Sequence, residues 1–474
     1  MARATKIREE PTRGRQRGQL ALLVLCGAMF LDSLDVSLIG VALPSIEQDL
    51  ALTPATLQWL ISGYTVAYGG FLLLGGRTAD LFGRRRVFLA AMVLFAVASL
   101  VGGLVTDGTL IMVTRVLKGI AAAFTAPAAL SIITTTFHEG PERNRALGVY
   151  AATAASGYSL GLVLSGFLTQ IHWRLVFLLP AVIAALVIVL AVRVLRGDEL
   201  ARSRNRGYDP LGAISVTAGL LLLVYGLTEA PESGWGSVST LGVLAAAAAL
   251  LVAFVVIESR HPDPGVPLRI FASRTLSTAN VLGVIFLAAS IGWQFIATLY
   301  LQRTLEYSPL QTALAFLPLG IMVFLVAEFA TGRLMSWIGI RTVASVGFLF
   351  QAVGIGLFVL GGIFTDYFSL LLPAVVLHGI GNGLVFPAVN IAGLSGVADE
   401  EQGLASGLIT ASTQIGAGIG VAVVTGVSTG GTRLVGYQYA FAVAAGISVL
   451  GAIVAALGLG RVRRPDNAER SKQV

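Results

Sequence analysis

The sequence contains few charged residues and a single cysteine. Charged side chains make up 12% of its 474 residues, whereas hydrophobic side chains make up 55%. A soluble protein carries about twice that fraction of charge, so the composition excludes an ordinary soluble domain and indicates a membrane protein. The single cysteine, Cys26, excludes an intramolecular disulfide.

Sequence motifs of common enzymes and of ATP-driven pumps are also missing. The chain has no HExxH zinc motif and no GxxxxGK(S/T) phosphate-binding loop. Gly379, Gly381 and Gly383 lie within an apolar run rather than after a strand, so they do not form a dinucleotide-binding turn. We therefore expect no enzyme, no metal site and no bound cofactor.

Long apolar runs dominate the chain instead. A membrane-spanning helix needs about 20 mostly apolar residues, and no segment alternates in the way that barrel strands do. The sequence therefore predicts an all-α polytopic membrane protein with fourteen transmembrane helices. The predicted helices lie near residues 19–43, 56–75, 86–106, 109–136, 144–169, 175–195, 210–229, 239–258, 277–300, 309–331, 341–362, 367–396, 402–426 and 438–460.

The distribution of lysine and arginine predicts the topology. If both termini are cytoplasmic, the inside loops and tails contain all but five of the 32 basic residues. The outside loops contain Arg174, Arg303 and Arg433, while Arg115 and Lys118 lie within helices. This asymmetry follows the positive-inside rule. Basic loops that meet anionic lipid account for the net charge of +7, so we expect no nucleic-acid partner and no obligate protein partner.

A basic turn between two apolar runs occurs twice in the chain. Gly76 begins the first copy and Gly332 the second, and each copy has a second glycine seven residues later and an arginine two residues after that. Lys118 and His378 match at nearly the same offset. The repeat predicts two equivalent six-helix bundles related by a pseudo-two-fold axis. Such duplicated bundles are typical of transporters that rock around a central site.

The repeat also predicts the order of the parts along the chain. Helices 7 and 8 fall between the two bundles, and the polar stretches beside them have the composition of linkers. We expect both terminal tails to be disordered. The predicted parts are a cytoplasmic basic tail at 1–18, an N-terminal six-helix bundle at 19–195, linkers with the two inserted helices at 196–275, a C-terminal six-helix bundle at 276–460 and a cytoplasmic tail at 461–474.

Four motifs make the chain resemble the fourteen-helix drug/proton antiporter branch of the major facilitator superfamily over residues 19–460. Helix 1 contains Leu34-Asp35-Val36-Ser37, which continues to Ala42-Leu43-Pro44, with Gly40 where asparagine is usual. Helix 4 contains Arg115-x-x-Lys118-Gly119, with lysine where glutamine is expected. The turn between helices 2 and 3 supplies the family signature through Gly76, Asp80, Gly83, Arg84 and Arg85. Helix 5 resembles the antiporter motif through Gly157, Gly161 and Gly166, with Leu162 in place of proline and Ser165 in place of glycine.

The resemblance implies a secondary active transporter in a bacterial cytoplasmic membrane. Such a protein exports hydrophobic or amphipathic drugs and toxic natural products in exchange for protons, by alternating access. Its partners are the lipid bilayer, a small organic substrate and protons, and the proton gradient is its energy source. Two alternatives stay open, namely a proton-coupled uptake symporter of a small organic solute and a membrane ligand sensor that transports nothing.

Four charged residues within predicted helices are the candidates for proton coupling. Asp32 and Asp35 lie on one face of helix 1, and Arg115 and Lys118 lie on one face of helix 4. A charge in mid-bilayer costs about 2.5–3.5 kcal/mol, so these four require pairing or a wet cavity. At 1.5 Å per residue, Asp35 and Arg115 lie roughly 12 Å and 9 Å below the outer helix ends and can meet. Asp35 is the expected proton carrier and Arg115 its partner, although buried ion pairs that merely hold helices 1 and 4 together would show the same pattern.

The turn after helix 2 is the candidate cytoplasmic gate. The resemblance implies that Asp80 and the arginines Arg84 and Arg85, flanked by Gly76 and Gly83, latch the two halves in the outward-facing state. A basic turn that only orients the helices is the alternative for the arginines.

Glycines and polar residues within the helices complete the candidate site. Gly157, Gly161 and Gly166 in helix 5 are expected to face the glycines of helix 13, either as a sliding contact or as static packing. Glu328 and His378 are secondary titratable candidates. Aromatic and amide side chains suit amphipathic organic substrates, and the candidates of these types are Tyr64, Tyr68, Trp293, Gln294, Asn382, Asn390 and Gln414.

Overall fold

The computed structural model describes most of the chain, and all its regular elements there are helices. The described residues are 10–137, 141–195, 210–261, 264, 268–363, 365–397, 402–428 and 432–459. The first group of long helices is α1 (Glu10–Leu50), α2 (Pro54–Phe82), α3 (Arg84–Leu104), α4 (Gly108–Thr136), α5 (Pro141–Ile171) and α6 (Leu175–Val194). An intermediate pair is α7 (Pro210–Ser233) and α8 (Val238–Arg260), followed by a short 3₁₀ turn at Leu268–Ala272. The last group is α9 (Arg274–Arg303), α10 (Pro309–Ile338), α11 (Ile340–Leu360), α12 (Tyr367–Leu394), α13 (Gln402–Ser428) and α14 (Arg433–Gly458).

Eleven of the helices in the described residues are long and apolar enough to cross a membrane. The other three, α2, α5 and α7, also coincide with predicted spans but do not belong to those eleven. The first helix begins at Glu10, so part of the tail that was expected to be disordered is helical. Polar residues can extend a helix beyond its apolar segment. The predicted linker at 196–209, the residues before Glu10 and the tail from 460 onward lie outside the described residues.

Local chemistry sets the starts of several helices. The Asp107 carboxylate accepts a hydrogen bond from the Leu110 amide at 2.9 Å and caps α4. Ser308 and Gln311 form a reciprocal capping box at the start of α10. Each cap satisfies backbone amides that the first helical turn leaves without partners. The sequence therefore encodes these two helix starts locally.

Two similar groups of helices pack side by side. In the first, α1 packs on α5, α2 on α4, and α3 on both α4 and α6. In the second, α9 packs on α13 and α14, and α11 packs on α12 and α14. The two groups, called the first and second halves below, meet where α2 contacts α13 and α5 contacts α10. Helix α7 packs against α8, α2 and α13, so it covers one of these two seams.

The apolar cores show which side of the molecule is closed. The terminus side is defined here as the side on which α1 begins and α14 ends. On the opposite side, a single core contains Leu38 and Leu57 of the first half together with Phe295 and Phe316 of the second. On the terminus side the halves have separate cores, around Phe88 in the first and around Phe348, Val385 and Ile409 in the second. The space between the halves therefore opens toward the terminus side.

Both copies of the repeated turn use a glycine with positive φ. Gly83 joins α2 to α3 with φ 93°, and Gly339 joins α10 to α11 with φ 81°. Residues with a Cβ rarely adopt this backbone conformation. The sequence repeat therefore reflects a repeated backbone turn.

Replacing Gly83 by alanine is expected to lower the free energy of unfolding by about 1–3 kcal/mol, because alanine is strained at this φ. Thermal unfolding of the purified protein in detergent would measure the change. Gly332→Ala is the matched control, since Gly332 has φ −62° and an added Cβ meets nothing within 4 Å. The control should keep or gain stability. Equal losses in both variants would contradict the explanation.

Candidate functional site

A buried ion cluster lies between α1 and α4. Arg115 Nη1 donates to Asp35 Oδ2 at 2.6 Å, and Lys118 Nζ donates to Asp35 Oδ1. All three side chains are at most 2% exposed. The Arg115 Nε also donates to the Leu60 carbonyl oxygen of α2 at 2.6 Å. One carboxylate thus pairs with two cations in a buried place.

Aromatic rings surround the two cations of the cluster. The Arg115 guanidinium carbon lies 4.6 Å from the centroid of the Tyr64 ring. Lys118 Nζ lies 4.9 Å from the Phe95 centroid and 5.3 Å from the Phe177 centroid. Ring faces attract cations, especially where water is excluded. The rings therefore stabilise both cations.

The second carboxylate, Asp32, lies one helical turn from Asp35 and is only partly buried. The Tyr64 hydroxyl donates to Asp32 Oδ1. Tyr68 packs edge-on against Tyr64, with ring centroids 6.0 Å apart. The structure therefore brings the four proton-coupling candidates and two of the substrate-binding candidates into one place in the first half. If both carboxylates are ionised, Asp32, Asp35, Arg115 and Lys118 have no net charge.

The candidate gate residues lie at the turn between α2 and α3. Arg84 Nη1 donates to the Ser131 carbonyl of α4 at 3.4 Å, and Arg85 Nη2 donates to the Val192 carbonyl of α6 at 3.0 Å. These carbonyls lie near helix C-termini, where cations are stabilising. Gly76 approaches Pro127, with 3.7 Å between an added Cβ and the proline Cβ. The Asp80 side chain lies outside the described residues.

The glycines of α5 pack against two different helices. A Cβ at Gly157 or Gly161 would lie 2.5 Å from the Phe30 carbonyl or 2.7 Å from the Leu34 carbonyl of α1. A Cβ at Gly166 would lie 2.8 Å from the Pro309 carbonyl of α10, in the other half. The expected pairing of α5 with α13 is replaced by pairs of α5 with α10 and of α2 with α13. Glycines in the sequence indicate that a helix packs closely against another, but they do not indicate which helix it packs against.

The substrate candidates of the second half occupy different surroundings. Trp293 is 1% exposed and stacks on His378, with ring centroids 4.3 Å apart, inside the second half. Asn382 Oδ1 accepts from Ser290 Oγ at 3.0 Å, within the same half. These groups therefore form a buried polar network apart from the ion cluster of the first half.

The remaining candidates are separate from that network. Gln294 Oε1 accepts from the Tyr158 hydroxyl of α5 at 2.6 Å, which is a contact between the halves. Asn390 Nδ2 donates to the Phe386 carbonyl of its own helix at 2.8 Å. Gln414 lies on α13 beside Gly69 of α2, at the seam between the halves. Glu328 is exposed within the π turn Val326–Thr331 of α10.

Contacts between the halves on the opposite side were missed from the sequence. Glu47 of α1 forms an ion pair with Arg303 of α9, and both side chains are 19% exposed. Gln302 Nε2 donates to the Val41 carbonyl at 2.9 Å. Glu47 and Arg303 lie near the ends of apolar runs, where charged residues are common. The opposite charges of the two residues were the only indication of this ion pair in the sequence.

Two similar halves of long apolar helices, with a buried ion cluster inside the first half, are typical of a multi-pass membrane transporter. A family profile described as Major Facilitator Superfamily matches residues 25–421. The chain belongs to this superfamily, so it is a transport protein and not an enzyme.

Similar proteins are named for resistance to antibiotics or for their export. The puromycin resistance protein pur8 of Streptomyces alboniger is 36% identical over 457 residues, which cover 92% of this chain and 90% of that protein. The cephamycin export protein CmcT of Amycolatopsis lactamdurans is 37% identical over 414 residues, covering 87% of this chain and 85% of that protein. The crystal structure of the POT family transporter PepTSo has a TM-score of 0.68 at 16% identity and covers 96% of this chain and 98% of that chain. This last likeness shows the fold alone.

Proposed function

We propose that the protein exports hydrophobic or amphipathic toxic compounds from the cytoplasm of a bacterium in exchange for protons. It lies in the cytoplasmic membrane with fourteen spanning helices, arranged as six, two and six, and with both termini inside the cell. The proton gradient supplies the energy, and no cofactor is bound. Relatives named for puromycin resistance and cephamycin export support a small organic substrate.

The ion cluster of Asp35, Arg115 and Lys118, with Asp32 beside it, is the observation that carries this proposal. Placing these charges within a membrane is costly, and intramembrane ionisable residues commonly mark ion pathways. A carboxylate beside two cations and a second carboxylate changes its proton affinity when its neighbours move. Proton uptake and release can thereby be linked to a change of conformation.

The asymmetry of the two sides supports alternating access. In the proposed topology the terminus side is cytoplasmic, so the described conformation faces the cytoplasm. The contacts of Glu47 with Arg303 and of Gly166 with Pro309 close the outer side. Outward opening must break these contacts. The turn with Gly76, Gly83, Arg84 and Arg85 then latches the cytoplasmic side, and Asp80 is assigned to the same latch.

The substrate is proposed to bind between the halves. Gln294 and Gln414 lie at contacts between the halves. Tyr64 and Tyr68 share an apolar cluster with Ala411 of α13, so they also border the second half. Tyrosine rings and amide groups suit molecules that combine apolar surface with a few polar groups.

Everted membrane vesicles from an efflux-deficient bacterium would test the proposal. Respiration acidifies their interior, and a pH-sensitive dye reports whether an added toxic compound releases protons from it. Wild-type vesicles should release protons with those compounds against which the protein protects growing cells, and an uncoupler should abolish the response.

Two variants distinguish a loss of proton coupling from a loss of protein expression in the membrane. Glu142→Gln, an exposed carboxylate at the start of α5, should behave as wild type. Arg115→Met should lose the response at matched membrane expression, because Asp35 then has one cation less. Protection of cells without any proton release would contradict proton antiport, and a wild type that protects against nothing would contradict export.

A further inference from the structure

We infer that the second half binds an uncharged compound with a carbonyl group next to an aromatic ring, and that Asn382 of α12 donates a hydrogen bond to this carbonyl. Phe386, one turn further along α12, packs against the ring. The inference rests on the proposed export function and names a substrate class for it. Three features carry it, namely a second exposed face of α12, the fixed direction of the Asn382 amide and the uncharged character of this wall.

Helix α12 is exposed on two opposite faces. Pro373 and Ile391 lie on one face and are exposed near the two ends of the helix, as on a lipid-facing surface. Asn382 is halfway between them in the chain, about two and a half turns from each, so it lies on the opposite face. The face with Asn382 is therefore separate from the lipid-facing one.

The face with Asn382 becomes exposed toward the terminus side. Val375 and Gly379 of this face are buried, and Val375 belongs to the core of the opposite side. Further along α12, Asn382 is partly exposed and Phe386 is 53% exposed. Val385, between them, belongs to the core of the terminus side. Because the halves have separate cores on the terminus side, this face forms part of the wall of the space between them.

The neighbouring helix α9 places Asn382 close to the first half. Gln294 Oε1 of α9 accepts a hydrogen bond from the Tyr158 hydroxyl of the first half. Ser290, one turn nearer the terminus side on α9, donates to Asn382. Asn382 therefore lies about one helical turn from a contact between the halves, at the closed end of the space between them.

Hydrogen bonds behind Asn382 fix the direction of its amide. Gln351 Nε2 of α11 donates to Ser290 Oγ at 2.6 Å and to the Phe286 carbonyl oxygen at 3.5 Å. A carbonyl oxygen only accepts, so the nitrogen of Gln351 is the end that faces Ser290. The Ser290 hydroxyl has one hydrogen and donates it to Asn382 Oδ1 at 3.0 Å. Gln351 and Ser290 are buried, so the Asn382 oxygen is held toward the protein interior.

The amide nitrogen of Asn382 is the end that is left for a ligand. An amide nitrogen has two hydrogens, and His378 Nε2, at 3.4 Å, can accept one of them. Within the part of the chain that the structure describes, the other hydrogen has no acceptor. A partly exposed donor of this kind fits a carbonyl oxygen, which only accepts, and does not fit an ammonium group, which only donates.

The wall around Asn382 offers a hydrogen bond and an aromatic ring but no charge. Helix α12 contains no aspartate, glutamate, lysine or arginine, and the arginines of α9 are its first and last residues. The exposed Phe386 ring packs against Phe286 of α9, with ring centroids 6.2 Å apart. One helical turn corresponds to about 6 Å along the axis. A ring against Phe386 and a carbonyl at Asn382 therefore fit one compact uncharged ligand.

Binding can be measured on the full chain in lipid nanodiscs with Prodan, an uncharged naphthyl ketone. Its emission shifts to longer wavelength when its carbonyl accepts a hydrogen bond. The comparison probe is the analogue in which a methylene group replaces the carbonyl, and empty nanodiscs give the signal of lipid-dissolved probe, which is subtracted. Wild type should bind Prodan about tenfold more tightly than the analogue, because only Prodan accepts the Asn382 hydrogen bond.

Asn382→Leu removes the donor at nearly constant side-chain volume. It should bind the two probes equally, and bound Prodan should emit at shorter wavelength than in wild type. Ser290 can then donate to the Phe286 carbonyl one turn back, so its hydroxyl keeps an acceptor. Ile391→Ala, on the opposite face of α12, is the matched control and should equal wild type in both readouts.

Ser290→Ala keeps the test informative if Asn382→Leu is poorly assembled. Ser290 is a positioning residue, because it holds the Asn382 oxygen and is itself buried. Without its hydroxyl the amide can turn, so the preference for Prodan should fall about threefold and the emission should shift part of the way. A loss of stability alone would weaken the binding of both probes and leave their ratio unchanged.

The remaining outcomes are equally decisive. A wild type that binds both probes equally, or neither of them, would overturn the inference. Asn382→Leu with the preference and the long-wavelength emission of wild type would overturn it as well. In these cases proton-coupled export of other compounds by vesicles would still stand. If wild-type vesicles export neither Prodan nor any toxic compound tested on cells, the proposed function itself fails.

Discussion

Replacing Asp35 by asparagine is expected to abolish transport and to lower the free energy of unfolding by about 3–5 kcal/mol. Asp35 is the direct ionic partner of both Arg115 and Lys118, and all three side chains are buried. The variant would leave two cations in apolar surroundings with only the amide as a neighbour at that position. Thermal unfolding in detergent and transport in vesicles would measure the two effects.

Lys118→Met is the informative comparison. It leaves the pair of Arg115 and Asp35 intact and replaces a buried ammonium by an apolar side chain between Phe95 and Phe177. Replacing buried charges by apolar groups is often nearly neutral for stability. The protein should therefore assemble normally. An Asp35→Asn variant with the stability of wild type would show that the cluster is more hydrated than its burial indicates.

Replacing Gly166 by leucine is expected to hold the halves apart on the opposite side. Even a Cβ at this position would lie 2.6 Å from Ala313 Cβ and 2.8 Å from the Pro309 carbonyl of α10. Overpacking of this kind costs about 3 kcal/mol, which corresponds to a shift of roughly 100-fold in the ratio of closed to open molecules. Transport should fall by a similar factor, because the closed conformation is required in every cycle.

Gly148→Leu on the same helix is the matched control, because an added Cβ there meets nothing within 4 Å. A single cysteine at Gln302, in a background with Cys26→Ala, would report access from the opposite side through a membrane-impermeant maleimide. Labelling should be fast with Gly166→Leu and slow with the control. Slow labelling in both would mean that the close approach of α5 and α10 can relax without opening the protein.

The meeting of the charged residues of α1 and α4 could be predicted from their spacing in the sequence. The spacing of Asp32 with Asp35 and of Arg115 with Lys118 places each pair on one helix face, and both pairs meet in the structure. The sequence did not predict that Lys118 and Arg115 share one carboxylate. That arrangement depends on the distance and rotation between α1 and α4, which no local pattern contains.

The repeated turn is a second case of successful prediction. The matched glycines were visible in the sequence, and Gly83 and Gly339 have nearly the same positive φ. By contrast, the match of Lys118 with His378 predicted an equivalent position but not an equivalent chemistry. In the second half His378 stacks on Trp293, so a polar network replaces the ion cluster.

The sequence by itself determined which segments form long apolar helices, which turns need glycine and which charges lie within apolar helices. These properties depend on residues that are close in the chain. Only the tertiary structure decided that α5 meets α10, that α2 meets α13 and that Glu47 meets Arg303. It also decided that Asp35 is buried with two cations whereas Asp32 is partly exposed. Helix surfaces in a membrane are apolar nearly everywhere, so hydrophobicity does not select the partner of a helix. The selection depends instead on shape, small residues and a few polar contacts between distant parts of the chain.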